Sequence, residues 1–258
     1  MSLNSVNDLI NVVEIVAKRM LRSISIPVKY IYLYLLAFIP VISSIFLTLN
    51  DPIICFISLT TGLIGFTTLS VYIISLIYMV NKHLELAKIY YSDLRDIITR
   101  IKHREELGDF EEEIEDLLLC KKINIEYTPI ILVPGYMLLL IEDNWLYVVI
   151  LFIIYSVLSS FLTYWTIQLF NNHVSKEKKI EYSLTKILNI NISREYGFMK
   201  FDKKELLISI LSFASILIVF IYRSYDVLDM HISTHRANYE GFKNALLKLV
   251  GQYHDYIG

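Results

Sequence analysis

Charge is missing from long stretches of this chain: residues 30–49, 53–80 and 145–170 contain no Asp, Glu, Lys or Arg. Each stretch is long enough to cross about 30 Å of hydrocarbon as a helix. Cysteine is limited to Cys55 and Cys120, too few for a secreted disulfide scaffold. Cys55 lies inside an apolar run and Cys120 abuts Lys121 and Lys122, so the two sit at different depths and are read as free thiols. An excess of basic charge is also absent, since the formal net charge is -2, and this excludes the usual kind of nucleic-acid binder. No Gly-rich phosphate loop, Gly-x-Ser-x-Gly, Cys-x-x-Cys or mid-membrane carboxylate pair occurs, so no catalytic mechanism follows from motifs. The first apolar stretch begins too late and lacks the small-residue ending of a cleavable signal, so it is expected to be retained.

What the chain has is apolar surface. Of 258 residues 55% are hydrophobic, and the mean hydropathy is +0.51, beyond what one soluble core absorbs. The expected fold is all-α: a polytopic membrane helix bundle of about five transmembrane helices, within a range of four to six, at the cell membrane. Residues 1–25 read as an amphipathic interfacial helix, with Glu14 and Lys18 one turn apart on its polar face. Residues 26–80 form a first transmembrane hairpin, residues 81–127 a cytoplasmic helical hairpin, and residues 128–170 a second transmembrane hairpin. Residues 171–205 form a basic cytoplasmic segment, residues 206–222 a fifth transmembrane helix, and residues 223–258 a polar helical tail. Within the second hairpin, the run from Pro129 to Ile141 is short and carries Pro134-Gly135, so a re-entrant path competes with a crossing there.

Basic residues orient the chain. Four lie in residues 1–29, eight in 81–127, eight in 171–205 and four in 223–258, while the turns at Asn50-Asp51 and Glu142-Asp143-Asn144 have none. Lys and Arg collect on the cytoplasmic side, which places the N-terminus and both eight-residue groups inside. Five crossings then send the tail after Tyr222 outside. A repeated pattern argues the other way: Asn81-Lys82-His83, Asn171-Asn172-His173 and Asp229-Met230-His231 each follow an apolar run, and the first two each follow a hairpin.

Inside the cytoplasmic hairpin, Asp109 and Glu112 have capping-box spacing ahead of a helix carrying Ile114, Leu117 and Leu118. Residues 105–116 hold eight acidic and no basic side chains, read as a solvated helix face in preference to a docking surface. Small residues form stripes at Ser58, Thr61, Gly62, Gly65 and Thr68, at Ser156, Ser159, Ser160 and Thr163, and at Ser209 and Ser212, which suits close helix packing.

Span centres carry no ionisable residue, which argues against ion-coupled transport and haem ligation. The metal-ligand candidates are His231 and His235, one turn apart, with Asp229 and Glu240 nearby; the pair lacks the Glu of His-Glu-x-x-His. His83 and His173 would meet at the helix exits if the hairpins are pseudo-symmetric, with Asn81 and Asn171 adding oxygens, although helix-exit capping accounts for them as well. No cofactor is called for. The leading functional reading is a non-enzymatic scaffold or conduit subunit of a larger membrane assembly, such as an envelope translocation or secretion machine. Its rivals are a small oligomeric transporter or channel for a neutral or passively moving solute, and a membrane enzyme with a metal at the helix exits. Partners are the lipid bilayer and other membrane proteins or further copies of the chain, with no nucleic-acid site.

Overall fold

The computed structural model describes Asn11, Glu14, Ile15 and Lys18 and residues 52–101, 107–137, 145–191 and 196–257, and all regular structure among them is helical. The elements are α1 (Pro52–Ile101), α2 (Gly108–Leu118), a 3-10 helix (Ile125–Leu132) running into α3 (Val133–Met137), α4 (Trp145–Leu188), α5 (Lys203–Leu211) and α6 (Leu217–Ile257). The expected first crossing, from Pro27 to Leu49, lies outside the described residues. So does most of the interfacial helix, but its Glu14 Oε1 lies 2.8 Å from Lys18 Nζ and 3.4 Å from Lys243 Nζ on α6.

Three long helices dominate, and they run parallel. Phe66 packs edge-on against Phe152 and Tyr155, while Tyr91 donates to Glu181, so α1 and α4 advance in the same direction. Tyr225 donates to the Tyr72 carbonyl at 2.9 Å and His83 meets His231, so α6 advances with them. Parallel neighbours require the chain to return to the starting end after each long helix. Among the described residues two helices are long and apolar enough to cross a membrane, Phe56–Arg100 and Leu146–Leu188, whose apolar 18-residue stretches have mean hydropathies of 2.0 and 2.3. Their apolar halves pack through aromatic rings and buried hydroxyls: Ser70 and Tyr155 share a hydrogen bond of 3.0 Å, and Thr163 donates to the Ser159 carbonyl at 2.8 Å.

The run 206–222 is not one helix, which corrects the expected fifth crossing. Asp202 starts α5 with a capping box, accepting from the amides of Lys204 and Glu205 while its own amide donates to Glu205. Nine residues later the helix stops, and Phe213 and Ala214 take left-handed backbone angles, φ 50° and 62°. Two such non-glycine residues cost about 1–2 kcal/mol each. The carbonyls at the break accept turn amides, from Phe213 to Ile210 and from Ala214 to Ser209, and serines add to them: Ser156 on α4 donates to the Ile210 carbonyl at 2.9 Å, and Ser212 and Ser215 donate three residues back along the chain. Gln168 binds the Phe201 carbonyl while Ser156 binds Ile210, so α5 runs antiparallel to α4. The chain thus enters along α4, turns at residues 212–216 and returns in α6. Hydropathy does not register this break, because the turn residues are themselves apolar or small.

A further expectation is corrected at a helix start. Gly108 opens α2, and its N-cap Leu107 provides no side-chain cap, so the Asp109–Glu112 capping box does not form. Asp109 and Glu111 still sit in the first turn, where the helix dipole favours acids. At the end of α4, Asn189 adopts φ 51° and the Ile190 amide reaches back to the Thr185 carbonyl at 3.1 Å, so asparagine takes the role glycine often has in this termination.

Candidate metal centre

The three Asn/Asp-x-His exits come to one level of the bundle. Asn81 donates to the Ile123 carbonyl at 2.7 Å and accepts from the Ile123 amide at 3.1 Å. Asn171 does the same with Met199, at 2.8 and 2.9 Å. Each amide therefore clasps the non-helical segment that leads to the next element, and neither is a metal ligand. Asp229, at the equivalent place on α6, is exposed and has no such role; Glu240 is exposed as well.

One turn deeper, four side chains from three helices converge: His83 on α1, Glu177 on α4, and His231 and His235 on α6. All four are at most 4% exposed. His231 Nε2 lies 3.1 Å from His83 Nε2, 3.1 Å from His235 Nε2 and 2.9 Å from Glu177 Oε2. Glu177 Oε2 lies 3.3 Å from His235 Nε2 and 3.8 Å from His83 Nε2. The four donor atoms all fall within 4.8 Å of one another. A tetrahedral ion with ligand bonds of about 2.0–2.1 Å sets its donors roughly 3.3–3.4 Å apart, so these separations bracket the edges of such a shell.

Hydrogen bonding alone accounts poorly for this arrangement. A neutral imidazole has one N–H and one lone pair, so His231 Nε2 cannot satisfy three neighbours at once. Meanwhile the Nδ1 atoms of His83 and His231 are buried without a hydrogen-bond partner. His235 is different: its Nδ1 lies 3.0 Å from Glu181 Oε1, and Glu181 also accepts from Tyr91 at 3.1 Å and Asn238 at 3.3 Å. A carboxylate behind a ligating histidine is the usual way such a ring is oriented.

Charge in the cluster is unevenly shared. Burial and the charge on His235 push the His231 imidazole down to about 3. Burial works against the charged form of His235 too, but Glu177 and then Glu181 outweigh it and raise that ring to about 10. Glu177 and Glu181 thus favour positive charge on His235, and a metal cation would take the place of that proton. His173 stands beside the cluster, its Nε2 3.1 Å from Glu177 Oε1, so the two oxygens of Glu177 face different partners. Cys120, expected to be a free thiol, is free and buried. Burial raises its pKa, and His173, Lys176 and Lys88 more than reverse that shift.

The segment after α4 closes the site from one side. Tyr196 places its ring 6.0 Å from that of His231 and 6.3 Å from that of His235. A Cβ at Gly197 would displace the end of the flexible Met230 side chain and come 3.1 Å from Val227 Cγ1.

His231 and His235, the pair singled out in the sequence, belong to the cluster together with His83; Asp229 and Glu240 stay outside it. The two carboxylates Glu177 and Glu181 were missed. They were detectable in principle, since His173, Glu177 and Glu181 follow at four-residue spacing on one helix face, but Lys176, Lys178 and Lys179 make the stretch resemble a solvated basic surface. No family model, curated protein or solved structure matches this chain.

Proposed function

We propose that this chain is a multi-pass membrane protein in which His83, Glu177, His231 and His235 hold a divalent transition metal, zinc by ligand set, that ties three parallel helices together where they leave the bilayer. The observation that carries the reading is the convergence of four buried donors from α1, α4 and α6 within 4.8 Å of one another. Four protein donors close a tetrahedron, the arrangement of a structural metal, whereas catalytic zinc keeps a position for water. The protein then works as a metal-stiffened scaffold or conduit subunit of a larger membrane assembly.

Exposed large apolar side chains support the membrane part: Ile153, Ile154, Val157, Phe161 and Trp165 on α4, and Val71 and Tyr78 on α1, face outward. Such a surface suits lipid or another membrane protein. Topology follows the same logic. The proposal is four crossings, at residues 27–49, α1, the stretch from Ile125 toward Trp145, and α4, followed by a re-entrant hairpin of α5 and α6. Basic residues put the exits of α1 and α4 in the cytoplasm. Because His231 meets His83, the tail of α6 belongs on that side too, in place of the outside position that five crossings would give.

Elemental analysis of detergent-purified protein tests the metal reading. Near-stoichiometric metal, lost in the double variant His231→Ala/His235→Ala, is the expected result. Metal-free protein whose thermal stability is indifferent to chelators would overturn it. The scaffold reading is tested by what co-purifies: a stable heteromeric partner supports it, and solute flux through liposomes containing this chain alone overturns it.

A further inference from the structure

A metal site buried this deeply needs a way in. Beside the centre lies a cavity of about 350 Å³ lined by Glu113 of α2, by Ser175, Lys178, Lys179, Glu181 and Tyr182 of α4, and by Tyr196. Its inner wall is the second layer of the cluster: Glu181 binds His235 Nδ1, and the Tyr196 ring covers His231 and His235. Two polar atoms in this wall are buried without a hydrogen-bond partner, Glu113 Oε2 and the Tyr196 hydroxyl. Leaving such groups unpaired is costly, so they mark a place where a polar guest is accommodated.

We infer that this cavity is the loading path for the metal ion, with Glu113 as the transient capture ligand and Tyr196 as the gate in front of His235. The inference rests on the metal reading above. A hydrated divalent cation keeps its waters until protein oxygens replace them. Glu113 offers the first carboxylate and Glu181 the second, in a line that ends on a ligand of the centre. Tyr196 lies on the non-helical segment 196–202, and a swing of its ring would open the last step. Lys178 and Lys179, both exposed, oppose a cation at the mouth. Their charges are screened over about 8–10 Å at ordinary salt, so they slow entry without forbidding it.

A path residue has a thermodynamic signature that a ligand lacks: it changes the rates of loading and release by the same factor and leaves Kd alone. The experiment is stopped-flow loading of the full-length, detergent-solubilised apoprotein with Zn²⁺ and chelator-driven release. Glu113→Gln should slow both rates about tenfold with Kd unchanged, and Ser175→Trp, which plugs the cavity, should do the same. Lys178→Glu/Lys179→Glu should accelerate both several-fold, with the gain shrinking at high salt. Unchanged rates in all these variants would overturn the loading path while leaving the metal centre standing. A changed Kd in Glu113→Gln would also overturn it, by making Glu113 a ligand or a structural support. Wild-type protein that takes up no Zn²⁺ removes the centre itself, and the path with it.

Discussion

The exits of α1 and α4 begin with the same pattern and end differently. Each has an asparagine that clasps a backbone segment from both sides and a buried histidine two residues later. His83 then points its Nε2 into the cluster, whereas His173 sets its Nε2 3.1 Å from the outer oxygen of Glu177, close enough for an ion pair but not aligned as a hydrogen bond. The residue one turn further along decides the difference. After His83 comes Ala87, fully buried and small, so α1 contributes one donor and leaves room. After His173 comes Glu177, which takes the inward position itself and leaves the histidine as its support. On α6 the corresponding residue is His235, and both rings turn into the cluster as candidate ligands. A similar exit motif thus yields three outcomes, set by one neighbouring side chain.

Several measurements would break or sharpen this comparison. The largest effect is expected for Glu177→Ala, which removes the anionic ligand and leaves three buried imidazoles facing one another. Metal should be lost completely and the thermal transition should fall by well over 10 °C, since structural zinc contributes on the order of 10 kcal/mol in small domains. Retained metal at full affinity would show that Glu177 is not a ligand. Next, His83→Ala and His173→Ala should separate: the first abolishes tight binding, and the second weakens it about 10–100-fold, the usual range for a supporting residue. Equal losses in a metal titration would erase the distinction between the two exits.

Ala87→Leu tests the room left beside His83. Overpacking a buried site costs about 1–3 kcal/mol, so a lower denaturation midpoint and weaker metal binding are expected together. A neutral result would mean that the size of Ala87 plays no part. Asn81→Ala and Asn171→Ala should each cost about 1–3 kcal/mol by stranding a backbone amide and carbonyl, with the more buried Asn81 costing more. Metal stoichiometry should survive both, because neither asparagine ligates. Last, a single cysteine at Gln252 in a cysteine-free background should be protected from an impermeant maleimide on intact cells, as should one at Gly108. Labelling at Gln252 alone would put the tail across the membrane from the α1 and α4 exits.

Much of the fold was legible because it is written locally. Charge-free runs and their polar flanks mark where α1 and α4 leave the apolar layer, and the Asn/Asp-x-His tripeptides mark the ends of those runs. The hairpin at 206–222 was not legible: an apolar run has the same hydropathy whether it continues straight or turns, and the turn packs on α4, where Ser156, 54 residues away, donates to the Ile210 carbonyl. The centre was half legible for a related reason. His231 and His235 share one helix face, so their spacing reveals them, but Glu177 joins the cluster only when α4 packs in parallel register with α1 and α6.

The sequence by itself determined the helical class, the apolar runs and the position of each exit, because these follow from the composition of short segments and the helical repeat. The tertiary structure alone decided that His83, Glu177, His231 and His235 meet. Residues 148 positions apart come within 3.1 Å only through the shared register of three helices. That register is set by side-chain packing along their whole length, and no short segment encodes it.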